Sequence, residues 1–287
     1  MLSYQIITDS CCDFPKEMYE ALNVKVAPLT VCWQGTERDD ANDDSLKLLY
    51  NAMRNGESAT TSAVNPQRWA EIMEPSLCEG KDLLVMAFSS GLSTTYQSAV
   101  IAAEELGEKY PERKIRVVNT LAASLGQGLL VWYACRKRDA GMELEELYAW
   151  VEENKRHLCM WFTVDDLMHL KRGGRVSSTT ALVGTMLQIK PVLHVDNEGK
   201  LISMAKARGR KASIEALADK MMQLGAGWDN DTVAISHGDC LEEAELLAQM
   251  LKERCGVRNV IMSYVGSVIG SHAGPGTLAL FFMGSHR

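Results

Sequence analysis

The 287-residue chain contains no stretch near the roughly 20 consecutive apolar residues that a membrane-crossing helix requires. Met1–Ile7 also lacks the basic start and long apolar run of a secretory leader, so a cytoplasmic location without membrane insertion is expected. Eight cysteines, at 11, 12, 32, 78, 135, 159, 240 and 255, form no Cys-x-x-Cys pair. That absence removes the simplest support for a zinc ribbon or a redox pair; the thiols are expected to be reduced, most of them buried as small hydrophobes. Basic charge is not in excess. The 37 acidic residues against 30 Lys and Arg leave a net −7, which excludes a protein whose whole surface binds nucleic acid. What is abundant is apolar material: at 46% hydrophobic residues the chain can bury a sizeable core. Disorder and a minimal disulfide scaffold are ruled out, and the length suits one large domain or two of ordinary size.

Short β-type runs alternate with helical patterns through the first half. Tyr4–Thr8, Val24–Leu29, Leu83–Ser89 and Ile115–Asn119 read as strands, and Asp44–Arg54, Pro66–Met73, Ser93–Leu106 and Ala122–Lys137 as helices. This alternation predicts a mainly parallel sheet flanked by helices, with ligand sites beyond the strand carboxyl ends. A charged helical stretch, Leu144–His157, leads into a second half of different texture. There Met160–Val164, Pro191–Val195, Leu201–Ala207, Thr232–Ser236, Asn259–Tyr264 and Thr277–Met283 read as strands, and Leu241–Arg254 as a helix. Asp196-Asn197-Glu198-Gly199 reads as a hairpin turn, so the second sheet is mixed. The fold class is therefore α/β, with two α/β domains and a boundary near 155–165. Gly284–Arg287 reads as a frayed end.

Four features carry candidate chemistry. Thr60-Thr61-Ser62 and the six hydroxyl side chains within residues 89–96 suit an anion cradle at a helix N-terminus, or ordinary N-capping. Gly266–Gly276 holds four glycines and a proline around His272 and reads as a loop approaching something closely, with the imidazole donating to an anion or satisfied by backbone. Residues 171–211 carry a net charge of +7 within a remainder of −14; the segment is a solvated basic face, or an anion-recognising one built on Lys171-Arg172-Gly173-Gly174-Arg175. No aromatic residue falls inside it, against single-stranded nucleic acid. The fourth, Ala122-Ala123-Ser124-Leu125-Gly126, mimics a hydrolase nucleophile elbow, with Asp165 or Asp166 and His237 or His272 later in the chain. Ser124 lies five residues past the predicted strand end, whereas an elbow needs a sharp turn. His237 and Cys240 lack further ligands at zinc spacing. An enzyme resembling glycerone kinase is disfavoured, because no Gly-x-x-x-x-Gly-Lys-Ser/Thr loop or acidic metal cluster is present.

Taken in order, Ile7-Thr8-Asp9-Ser10, Thr61-Ser62 before Pro66, Ser90-Gly91-Leu92-Ser93 with Thr95-Tyr96-Gln97-Ser98-Ala99, Lys171–Arg175 and Gly270–Gly276 resemble the DegV family of bacterial fatty-acid-binding proteins. That family includes the acyl-carrying subunits of fatty acid kinase. The resemblance implies two domains, 1–158 and 159–287, with one long-chain fatty acid in a tunnel between them. Thr61 and Ser93 would hydrogen-bond its carboxylate, with Ser62 and Thr94 beside them, while Arg172 and His272 support it electrostatically. Arg172 and Arg175 would dock a separate kinase subunit that makes an acyl phosphate for phospholipid synthesis. The chain itself would be non-catalytic and need no metal or cofactor beyond the bound fatty acid; the alternative is a serine acyl-hydrolase using Ser124. Cys11 and Cys12, Ala63-Val64-Asn65 and Thr94 depart from the family's usual residues, and Thr94, in place of a glycine, would crowd the carboxylate loop. Fifteen methionines against five phenylalanines suit an adaptable apolar tunnel.

Overall fold

Alternate residues of the first strand face opposite ways, and both faces are buried. In the computed structural model, which describes residues 4–40, 45–177 and 188–287, Tyr4–Asp9 (β1) is buried along its whole length. It is flanked in parallel by Val24–Ala27 (β2) and Asp82–Ala87 (β6), and β6 by Ile115–Asn119 (β7), giving the order β2-β1-β6-β7. Tyr4, Ile6, Leu84 and Met86 point into one core, with Leu125–Asp139 (α5) and Leu144–Asn154 (α6). Ile7, Leu83, Val85 and Ala87 point into the other, with Leu46–Arg54 (α2), Pro66–Cys78 (α3) and Thr95–Lys109 (α4). A strand buried on both faces favours a continuous apolar run such as Leu83–Ala87, and the expected parallel sheet is observed. Asp44, the predicted start of α2, lies outside the described residues.

Several elements were not visible in the pattern. Lys16–Ala21 (α1) follows β1. Thr30–Trp33 (β3), Thr36–Asp39 (β4) and Thr60–Ser62 (β5) form a small antiparallel sheet. Its hairpin closes through Gln34 and Gly35, both at positive φ, as a two-residue turn demands. The helix predicted to stop at Met73 runs through Pro75 to Cys78. Trp69, Met73, Ser76 and Leu77 keep one buried stripe, and that packing outweighs the hydrogen bond the proline removes.

The second sheet, in the order β10-β9-β8-β13-β11-β12, comprises Leu158–Thr163 (β8), Ile189–Val195 (β9), Leu201–Arg208 (β10), Thr232–His237 (β11), Asn259–Tyr264 (β12) and Leu278–Met283 (β13). Only β11 and β12 are parallel neighbours; β9 and β10 form the expected hairpin. Cys159, Trp161, Leu278, Leu280 and Phe282 turn outward under Arg210–Leu224 (α8) and Leu241–Cys255 (α9). Met160, Phe162, Ala279 and Phe281 turn inward. Helix α5 lies against this inner face as well as the first sheet. Gly126 abuts Met160 and Phe281 on one side, while Gly128 abuts Cys12 and Phe14 on the other.

Two predicted irregular segments are ordered. Ser267–Ala273 (α10) is a helix inside the expected glycine-rich loop. Close approach is nonetheless what its glycine serves, because a Cβ on Gly270 would lie 2.5 Å from the Tyr50 hydroxyl. Arg287, expected to fray, is 7% exposed, its guanidinium donating to the carbonyls of Thr120, Leu121, Lys155, Leu158 and Asp196. Five backbone acceptors hold it where polar atoms would otherwise lack partners.

Candidate functional site

A cavity of about 520 Å³ opens between the two sheets, a size that suits a small-molecule ligand. One end is polar. Thr61 comes from β5, which pairs with β3 so that Thr61 opposes Val31. Ser93 sits in the turn before α4; its Oγ accepts from the Thr95 amide at 3.2 Å and lies 2.9 Å from the Thr95 hydroxyl. It thus satisfies an amide at the start of the helix while lining the cavity. Ser62 and Thr94, both exposed, complete this rim. Ser90, whose Oγ accepts from Asn119 Nδ2 at 2.6 Å, also reaches the wall.

The second half of the chain supplies the imidazole and the positive charge. His272, on α10, lies with its Nε2 2.8 Å from Thr61 Oγ1. Burial, aided by the neighbouring Arg175 charge, pushes its pKa down to about 4. The ring is therefore neutral near pH 7 and can serve as a hydrogen-bonding group.

Of the two arginines, Arg175 lines the cavity and Arg172 does not. Leu167–Arg172 (α7) is capped at its start by Asp166 and ends with Arg172 exposed, outside the cavity wall. The chain then reverses through Gly174 at φ +73°, with the Arg175 amide donating to the Leu170 carbonyl at 3.0 Å. This αL cap sends Arg175 back onto the wall, where its guanidinium donates to the Leu92 carbonyl. Half-burial lowers its pKa from the ordinary arginine value. Gly173 lies so close to His272 that a Cβ there would meet Nδ1 at 2.3 Å. Thr61, His272, Arg175 and the Ser90–Ser93 turn consequently form one cluster of donors and a single cation, a set suited to a carboxylate.

Most of the rest of the wall is apolar. Leu29, Phe88 and Leu92 come from the first half, and Met160, Phe162, Val195, Leu201, Ala279 and Phe281 from the inner face of the second sheet. Sequence reasoning missed these strand residues as cavity lining, although period-two alternation in 158–163 and 278–283 marks which of them share a face. Gln97, four residues after Ser93 on the same side of α4, was also missed.

Ser124 lines the cavity too, immediately before α5, at φ +56° and ψ −150°. Its hydroxyl donates to Asp13 Oδ2 at 2.5 Å and lies 2.8 Å from Ser236 Oγ. Burial and the nearby Asp40 raise the Asp13 pKa well above the usual carboxylate value. The suggested triad is not brought together. Asp165 pairs with Lys190, Asp166 caps α7, His237 stacks on Tyr264, and His272 bonds Thr61. All eight cysteines are free thiols, and among the described residues no helix is long and apolar enough to cross a membrane.

Comparison with known proteins agrees with this geometry. A family model described as DegV, a family of uncharacterised proteins, matches residues 3–285. A DegV domain-containing protein of Clostridium perfringens is 47% identical over 289 residues, spanning 100% of this chain and 99% of that protein. Among solved structures, one of fatty acid binding by a DegV family protein from Thermus thermophilus superimposes with a TM-score of 0.88 at 31% identity, covering 98% of this chain and 99% of that one. A DegV family protein from Ruminococcus gnavus, refined with vaccenic acid, gives 0.85 at 28% identity, with 98% and 100% covered. The chain accordingly belongs to the DegV family.

Proposed function

We propose that the protein binds one long-chain fatty acid and presents its carboxylate to an ATP-dependent kinase partner in the cytoplasm; the Thermus thermophilus protein is described as binding fatty acid, and the Ruminococcus gnavus structure was refined with vaccenic acid. On this reading the chain divides into domains 1–158 and 159–287, with the ligand between them. The observation that carries it is a cavity that is apolar along most of its wall and ends in Thr61, Ser93, His272 and Arg175. Burying some 15 methylenes at about 0.8 kcal/mol each contributes on the order of 12 kcal/mol before ordering costs, so the tail supplies affinity. The carboxylate cannot be buried without partners. Thr61, Ser93 and His272 supply hydrogen bonds, with Ser62 and Thr94 at the rim, and Arg175 supplies the charge in place of Arg172. Arg172 keeps the docking role, since it stands exposed beside the polar end.

Mass spectrometry of lipid released from protein purified under native conditions tests the reading. Stoichiometric fatty acid is expected, and its absence, together with no binding of added fatty acid, would refute it. Thr61→Val and Ser93→Ala should each weaken retention by about 1–3 kcal/mol, the effect of leaving a buried acceptor unmatched. A second reading, acyl-ester hydrolysis at Ser124, is favoured only by that residue's strained backbone before a helix. It predicts fluorophosphonate labelling of Ser124, which the carrier does not.

A further inference from the structure

We propose that the far end of the cavity is a length gauge, and that Gly126 sets it by deciding how deep Met160 and Phe281 can sink. The inference rests on the fatty-acid reading and adds what limits the acyl chain.

The direction of the chain follows from strand register. Thr277 directly precedes β13 and is tied to α10, its hydroxyl donating to the carbonyls of Ala273 and Gly274. That is the His272 end. Moving along β13 away from it, Ala279 comes first and Phe281 second, about 7 Å further at the ordinary strand rise. On β8, Phe162 pairs with Ala279 and Met160 with Phe281, the same order leading away from α7 and Arg175. Met160 and Phe281 are therefore the cross-strand pair of the inner face farther from the carboxylate cluster. Both line the cavity, and both are almost wholly buried.

What lies behind this pair is α5. At Gly126 the helix approaches so closely that a Cβ would stand 2.8 Å from Met160 Sδ, 2.8 Å from Phe281 Cδ1 and 3.0 Å from Met160 Cγ. Interiors packed to crystal density have no room for that methyl unless neighbours move. The helix is fixed by contacts on its other side, where a Cβ on Gly128 would already meet the Cys12 carbonyl at 2.8 Å. The thioether and the ring must yield instead, and the space in front of them is the cavity. A methyl at position 126 therefore raises the floor, whereas removing the Met160 side chain lowers it.

The test loads purified wild type, Gly126→Ala, Met160→Ala and the double variant with an equimolar mixture of saturated fatty acids from laurate to arachidate, and reads the retained lipids by mass spectrometry. Gly126→Ala should shift the profile to shorter chains, by about fourfold in relative retention for each methylene that no longer fits. Met160→Ala should shift it to longer ones, and the double variant should return toward wild type. Wild-type profiles in all variants that retain lipid would overturn the gauge while leaving fatty acid binding intact. Failure of the wild type to retain any member of the mixture would instead overturn the reading beneath it. If Gly126→Ala does not fold, Met160→Ala decides alone: an unchanged profile overturns the proposal.

Discussion

The loop carrying Ser90 and Ser93 is held in place by a backbone contact between two glycines, and its strength can be worked out. At Gly91 a Cβ would stand 2.7 Å from the Gly199 carbonyl oxygen and 2.8 Å from that of Glu198. Both atoms are backbone in the β9–β10 hairpin turn, so no side chain can swing aside. Reaching ordinary contact requires the turn and the loop to part by more than half an ångström. That separation stretches the bond from Ser89 Oγ to the Gly199 carbonyl, now 2.8 Å, to the limit of a hydrogen bond. Losing it destabilises by about 0.5–1.5 kcal/mol, and overpacking adds about 1–3. Gly91→Ala should therefore lose about 2–4 kcal/mol, or roughly 5–15 °C of Tm for a chain of this size. Differential scanning calorimetry provides the assay, with two companions. Ser89→Ala should lose only the hydrogen-bond share. Gly107→Ala, inside α4 with nothing within 4 Å of the new methyl, should gain about 0.5–1 kcal/mol. A Gly91→Ala protein as stable as wild type would show that the turn does not rest on this loop.

The remaining predictions concern charge. His272 binds a proton less readily folded, at a pKa of about 4, than unfolded, at about 6.5. The unfolded chain thus takes up protons first as pH falls, and stability drops from about pH 6.5 down to pH 4. Between pH 7.5 and 5 wild type should lose about 2 kcal/mol more than His272→Gln in urea unfolding; equal losses would mean the ring is not buried as described. Arg172→Glu should leave fatty acid retention unchanged yet impair acyl phosphate formation in a coupled assay with a kinase partner. Arg175→Met should weaken retention itself. The opposite assignment would restore Arg172 to the carboxylate.

The first half was legible because parallel strands buried on both faces and the helices between them have contrasting periods. Elements near β1, β6 and β7 fall within a few residues of expectation. The four-residue strands β3 and β4 are too short for alternation to register, leaving the Gln34-Gly35 turn as their one local mark. Helix α10 was hidden by its own composition, since Gly270 reads as loop until the Tyr50 hydroxyl against it is known. At the site, the hydroxyls and His272 could be named from their motifs. Which arginine turns inward could not: Arg172 and Arg175 flank two glycines, and a tertiary reversal at Gly174 decides between them.

The position of α5 also governs how a ligand can come and go. Leu125, Leu129, Leu130 and Val131 are fully buried and belong to one apolar core that runs unbroken from Ile6 and Met86 to Phe162 and Phe281. Swinging the two sheets apart would strip water-free surface from both sides of this helix, at about 1.5–3 kcal/mol for each large side chain exposed. The barrier to that motion grows with every residue of the shared core. Exchange is cheaper through the rim, where Ser62 and Thr94 already meet solvent. The release rate should consequently respond to substitutions at the rim and be nearly indifferent to denaturant concentrations that leave the core intact.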